Sequence, residues 1–169
     1  MTKRKPRITK LLVVGIGNSD RGDDGVGPLV AQRLVECIPA DLARHVTILE
    51  RGGDALALID DWAGRDAVIL VDAAAPVSAP GRIHRFDLLE EVLPIEISLS
   101  STHAFGVADA VGLARTLGLL PNQLVVYAIE GADFDLGSAV SGRVFAAAAD
   151  VVVRIIDELK CLERDVAQV

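Results

Sequence analysis

The tightest constraint on this chain is an alternation. Short, β-branched apolar runs at Ile8–Gly15, Val46–Leu49, Ala67–Val71 and Leu124–Ile129 are separated by longer stretches whose apolar residues recur every three to four positions. Continuous apolar runs of four to eight residues suit strands buried on both faces, and the intervening period suits amphipathic helices. Strand–helix alternation of this kind builds a parallel sheet with helices on its faces. The first helix is expected from about Gly25, with Val26, Leu29, Val30, Leu34, Cys37 and Ile38 on one stripe; Pro28, tolerated only in a first turn, places its start near Asp24. A short helix follows over Ala55–Trp62. Another runs over about 104–117, closed by Gly118 with Pro121 beyond. The last helix carries the stripe Val144, Ala148, Val151, Val152, Ile155, Leu159 and Leu162. Arg82–Asp87 alternates in polarity and reads as an antiparallel edge strand. The expectation is a three-layer α/β domain over 9–165, without internal repeat or linker, preceded by a basic tail at 1–8.

Composition narrows the function classes. Of 169 residues 51% are hydrophobic but only six are aromatic, so the core must be aliphatic. Five of the 17 basic residues lie in the first ten positions, which hold no acid; the rest of the chain sets 24 acidic against 12 basic side chains. Such a body repels nucleic acid and anionic membranes. No apolar run approaches the length that spans a bilayer, and Leu11–Gly17 is too short for a secretory signal. Cys37 and Cys161, far apart and without CxxC spacing, read as reduced core thiols of a cytoplasmic protein.

Polar residues concentrate where an open parallel sheet binds ligands, beyond the carboxyl ends of its strands. The first strand runs into Gly15-Ile16-Gly17-Asn18-Ser19-Asp20-Arg21-Gly22-Asp23-Asp24-Gly25. A dinucleotide loop would need glycine at position 20, and a P-loop would need Gly-Lys-Ser/Thr; neither is present. Asp20, Asp23 and Asp24 would also repel a pyrophosphate. Each polar residue has a bland reading: Asp24 as a helix cap, Asp23 as a loop carboxylate bonded to nearby amides, Asp72 as a turn brace, His103 as a helix-start residue. Together, Asp24, Asp72 and His103 follow three different elements and should face one crevice. Two carboxylates and an imidazole suit a borderline cation such as Zn²⁺ or Ni²⁺ with open positions. His45, at the opposite sheet end, and His84, in the edge strand, read as structural or surface residues. No GxSxG elbow, Cys/His pair or HExxH helix is present, which leaves water attack assisted by carboxylates, a metal, or both.

These motifs resemble those of the [NiFe]-hydrogenase maturation endopeptidases. The matching residues are Gly15-Ile16-Gly17-Asn18, Gly22-Asp23-Asp24-Gly25-Val26-Gly27-Pro28, Gly52-Gly53, Val71-Asp72-Ala73, Thr102-His103 and Ile129-Glu130, spread over roughly residues 9–160. The resemblance implies a single α/β domain with a five-stranded sheet. It also implies an endopeptidase that removes a C-terminal extension from the nickel-loaded large-subunit precursor. Its metal-contacting residues fall on Asp24, Asp72 and His103. The catalytic set is then Asp24, Asp72, His103 and Asp23, with Asp24 or Asp23 activating water. Nickel is expected to arrive with the precursor, and zinc or cadmium could occupy the same donors in vitro. Two departures, Asp20 and Asp54-Ala55, fall on expected substrate-facing loops and bear on which large subunit is served. The competing readings are a metal-dependent hydrolase of small molecules and a non-catalytic, nickel-sensing chaperone of the large subunit.

Overall fold

The computed structural model describes residues 10–99 and 106–167, without the side chains from 164 onward. Five strands form one sheet: β1 Leu11–Ile16, β2 Val46–Arg51, β3 Ala67–Ala74, β4 Ile83–Asp87 and β5 Gln123–Glu130. Their order is β2-β1-β3-β5-β4, with every pair parallel except β4–β5. The antiparallel edge strand is thus where the alternating pattern at 82–87 places it. The helices are α1 Val26–Cys37, α2 Ala40–Ala43, α3 Ala55–Trp62, α4 Val107–Leu117 and α5 Gly142–Ala167. The four-residue α2 has too few positions to show a period, and sequence reading misses it.

Side-chain alternation along the central strands divides the core into two layers. Val13, Ile69, Val71 and Ile129 pack with Val30 and Leu34 of α1 and with Val151, Ile155 and Leu159 of α5. On the other face, Leu12, Val14, Leu70 and Val126 pack with Leu58 and Trp62 of α3 and Ala110 and Ala114 of α4. Both faces of the sheet are therefore covered, which is why β1, β3 and β5 read as nearly unbroken apolar runs.

One strand boundary and one helix cap differ from expectation. β3 does not stop before Asp72: Asp72 pairs with Ala128, Ala73 with Ile129 and Ala74 with Glu130. The alanines add no bulk that would end the ladder, so Asp72 sits inside a central strand rather than in a turn. The first helix starts within one residue of the expected Gly25, but Asp24 is not its cap. A 3-10 turn over Gly22–Gly25 holds both aspartates, and α1 starts at Val26 with Gly25 as its N-cap. Cys37 and Cys161 are free and exposed, not core thiols. Cys37 is the last residue of α1, beyond the buried Leu34, and Cys161 lies off the stripe through Leu159 and Leu162. The basic residues 1–9 lie outside the described residues, and so do 104–105 at the expected start of α4. No helix among the described residues is long and apolar enough to cross a membrane.

Candidate active site

Among the described residues, the buried charged or polar side chains are four carboxylates: Asp23, Asp24, Asp72 and Glu130. All four lie at the carboxyl end of the sheet, at or beyond the ends of the adjacent strands β1, β3 and β5. Burying one carboxylate is costly unless charge or hydrogen bonds compensate, so four at one end of a small domain need a reason.

The β1–α1 loop begins with a tight crossing. A Cβ on Gly15 would fall inside contact distance of the Gly27 carbonyl oxygen, so β1 and the start of α1 touch backbone to backbone. Gly17, at φ +141°, turns the chain away, and its N–H donates to Arg51 O of β2 at 2.9 Å. A Cβ there would collide with the Asp24 carbonyl oxygen. The loop then folds back: Asn18 N–H donates to Asp24 Oδ2 at 3.1 Å, and Asp20 N–H donates to Asn18 Oδ1 at 2.9 Å. The Asp24 carboxylate thus accepts from its own loop, and Gly25, with no side chain, is the N-cap of α1.

Asp23 has a different environment. Its Oδ2 accepts from Ala132 N–H at 2.7 Å, Asp133 N–H at 3.1 Å and Ser141 Oγ at 3.0 Å. Its Oδ1 accepts from Ser141 N–H at 2.6 Å. Burial pushes its pKa up, but these donors outweigh it and hold the carboxyl below its ordinary value. Backbone bonds from Gly22 N–H to Ser138 O, Asp23 N–H to Asp133 O and Gly137 N–H to Asp20 O complete the seam between this loop and residues 131–141. This is the amide-bound arrangement that was one of the two readings of Asp23.

Glu130 closes the other side. Its Oε2 accepts from Val77, Ser78 and Ala79 N–H at 2.9, 2.7 and 3.0 Å. Its Oε1 accepts from Ser78 Oγ at 2.9 Å and stands 2.7 Å from His84 Nε2. Burial opposes the charge, but His84 and the Ser78 and Val77 amides prevail and bring the pKa down to about 2. His84 in turn stacks on Phe86, ring centroids 6.1 Å apart. It is structural, as its edge-strand position suggests. His45 lies at the far end of the sheet, 3.9 Å from Glu163 and 41% exposed. The expected Asp54 departure also has a local role, since its carboxylate caps α3 through Leu56 and Ala57 N–H.

Asp72 is fully buried and shares a strand face with Leu70 and Ala74. Beyond it, Leu99 bridges Ala74 and Ala75 N–H donates to Ser98 O at 2.8 Å, which brings the segment before α4 to the end of β3. His103 lies outside the described residues. Among those described, no three His, Cys, Asp or Glu side chains form a group able to hold a metal. The Glu130 anchor is the feature that sequence reading alone misses. Its donors are amides of Val77–Ala79, which leave no trace in side-chain pattern. The available signal was a glutamate ending an otherwise apolar strand.

Residues 30–158 match the hydrogenase maturation protease family HycI. The chain is 30% identical over 122 residues to hydrogenase 2 maturation protease of Escherichia coli (strain K12), covering 71% of this chain and 72% of that protein. It is 26% identical over 152 residues to the hydrogenase expression/formation protein HupD of Rhodobacter capsulatus, covering 85% and 70%. In fold it is similar to the hydrogenase maturating endopeptidase HybD from E. coli, with TM-score 0.71 and 22% identity over 89% of this chain and 92% of that one. It is likewise similar to the [NiFe] hydrogenase maturation protease HybD from Thermococcus kodakarensis, with TM-score 0.67 and 25% identity over 89% and 98%. A sheet end built around buried carboxylates, and a family match over most of the sequence, lead to one conclusion: this chain belongs to the hydrogenase maturation proteases.

Proposed function

We propose that this protein is the endopeptidase that removes a C-terminal extension from the nickel-loaded large-subunit precursor of a [NiFe]-hydrogenase. The observation carrying this reading is the collection of buried carboxylates at the carboxyl end of the sheet, where the reacting groups of an open α/β domain belong. In this reading Asp24, Asp72 and His103 contact the nickel held by the precursor and so set the scissile bond over the crevice. The metal is part of the substrate, and its presence reports that the precursor is ready for processing.

Water activation falls to Asp24 rather than Asp23. Asp23 is 0% exposed and both of its oxygens are engaged by four donors, which leaves no place for a reacting water. Asp24 is 7% exposed and lies on the β1–α1 loop at the carboxyl end of the sheet. Its carboxylate takes a proton from water as the water oxygen bonds to the scissile carbonyl carbon. The same proton passes to the amide nitrogen as the carbon–nitrogen bond breaks, releasing the extension as a free amine.

Mass measurement of nickel-loaded precursor with and without this protein tests the reading. A mass loss equal to a C-terminal peptide, absent with nickel-free precursor, is expected. Binding without mass loss would make the protein a chaperone. A chain that retains stoichiometric metal through dialysis against chelator and cuts nickel-free precursor equally well would make it a self-contained metallopeptidase.

A further inference from the structure

The connection from β4 to α4 differs from the rest of the surface. From Asp87 to Ala114 the sequence holds five acidic residues, Asp87, Glu90, Glu91, Glu96 and Asp109, and no lysine or arginine. Within it, Val92 and Ile95 are 89% and 95% exposed. Isolated exposed apolar residues are ordinary. Here, however, they adjoin a cavity of about 310 Å³ lined by Leu93, Pro94, Ile95, Ile97, Leu99 and Val107. Ile97 N–H donates to Pro94 O at 2.9 Å, forming the turn that presents Ile95 outward. One lining residue of the groove, Leu99, bridges Ala74, two residues beyond Asp72 on the same strand, so the groove lies beside the carboxyl end of β3.

We propose that this groove takes an apolar side chain from an extended, positively charged stretch of the precursor, next to the bond that is cut. An aliphatic cavity favours an apolar anchor through the area it removes from water. The acidic surround, with Glu90, Glu91 and Glu96 all exposed, favours basic neighbours and disfavours acidic ones. An apolar anchor flanked by lysine or arginine satisfies both conditions. This assignment rests on the peptidase reading above, so its test measures binding separately from cleavage.

The probe is a short synthetic peptide with one leucine between arginines, titrated into the full-length protein by fluorescence anisotropy at low and high salt. Binding should weaken with salt. It should fall about tenfold or more when the leucine becomes serine, and similarly when the arginines become glutamates. Ala108→Phe, at an exposed position lining the groove, should fill the cavity and cost about tenfold in affinity. The combined variant Glu90→Lys, Glu91→Lys and Glu96→Lys, confined to exposed positions, should remove most of the salt dependence. With nickel-loaded precursor, Ala108→Phe should raise KM and leave kcat within about twofold. Equal affinity for arginine and glutamate peptides would overturn the assignment, as would unchanged binding and KM in Ala108→Phe. If wild-type protein bound the peptides in the expected order but never cut the precursor, the groove would stand and the peptidase reading would fall. Normal cutting with unchanged KM in both variants would do the reverse.

Discussion

The two ends of the sheet close by different means. At the amino end, main-chain groups do most of the work: Leu11 N–H donates to His45 O, Asp66 N–H to Lys10 O and Asn122 N–H to Asp66 O. Ionisable groups there, such as His45 and Glu163, stay substantially in water. At the carboxyl end, the same strands finish among four buried carboxylates, two of which are tied to the backbone of neighbouring loops. The amino end shows that these strands can be joined without burying charge. The carboxylates at the other end divide into loop anchors, Asp23 and Glu130, and candidate reacting groups, Asp24 and Asp72.

That division can be broken experimentally. The largest effect is expected at the proposed reacting groups: Asp24→Asn, Asp72→Asn and His103→Ala should each slow precursor processing by about 10²–10⁴-fold. Their far-UV circular dichroism should be unchanged. Near wild-type processing by any one of them would remove that residue from the trio. Asp23→Asn should act on the fold instead, because its amide would set an NH2 group against N–H donors. A loss of about 2–4 kcal/mol in urea unfolding is expected, and an unchanged midpoint would show that the seam to residues 131–141 does not depend on the charge. Gly17→Ala should cost about 1–3 kcal/mol, since φ +141° and the adjacent Asp24 carbonyl both exclude a Cβ.

A smaller effect depends on pH. Glu130 has its pKa lowered from 4.5 to about 2. Its contribution is complete above the unfolded value and fades as the pH falls from about 4.5 towards 2. Asp23, lowered from 3.8, loses its contribution in the same direction. Thermal scans across that window should show stability falling with acid, and Glu130→Gln should flatten part of the slope; an unaltered slope would place the acid lability elsewhere. At the amino end, His45→Ala should change stability by no more than about 0.5 kcal/mol, as for exposed ion pairs generally. A large loss there would undo the contrast between the two ends.

How far these features could be read from residues depended on the distance over which they act. The helix over Ala55–Trp62 and the edge strand near 83–87 follow local periodicity, and both stand where that periodicity put them. Asp72 was recognisable as a special residue, but its place inside β3 was not, because only pairing with Ala128 on a strand more than fifty residues away extends the ladder past it. The amide-bound reading of Asp23 is the favoured one from its loop position, but its donors, Ala132, Asp133 and Ser141, lie more than a hundred residues away and leave no local signal. Cys37 and Cys161 misled because apolar periodicity gives the face of a helix but not where its packed length ends. The local pattern shows the strands and the longer helices but not the four-residue α2; the partners of the buried charges depend on contacts across the chain.

The Asp23–Ser141 contact has a consequence for how the protein comes into being. The donor lies 118 residues downstream of the acceptor. A nascent chain that has emerged only as far as the first strands and helices still lacks the amides that make burial of this aspartate favourable, so the charge stays hydrated and the adjacent Asp24 loop has no anchor. Long-range contacts of this kind form late because loop closure must precede them. The carboxyl end of the sheet, with its candidate active site, is therefore completed only once residue 141, at the threshold of the last helix, is available. A partly synthesised or C-terminally truncated chain would have strands and a partial core but no anchored loop at the candidate active site.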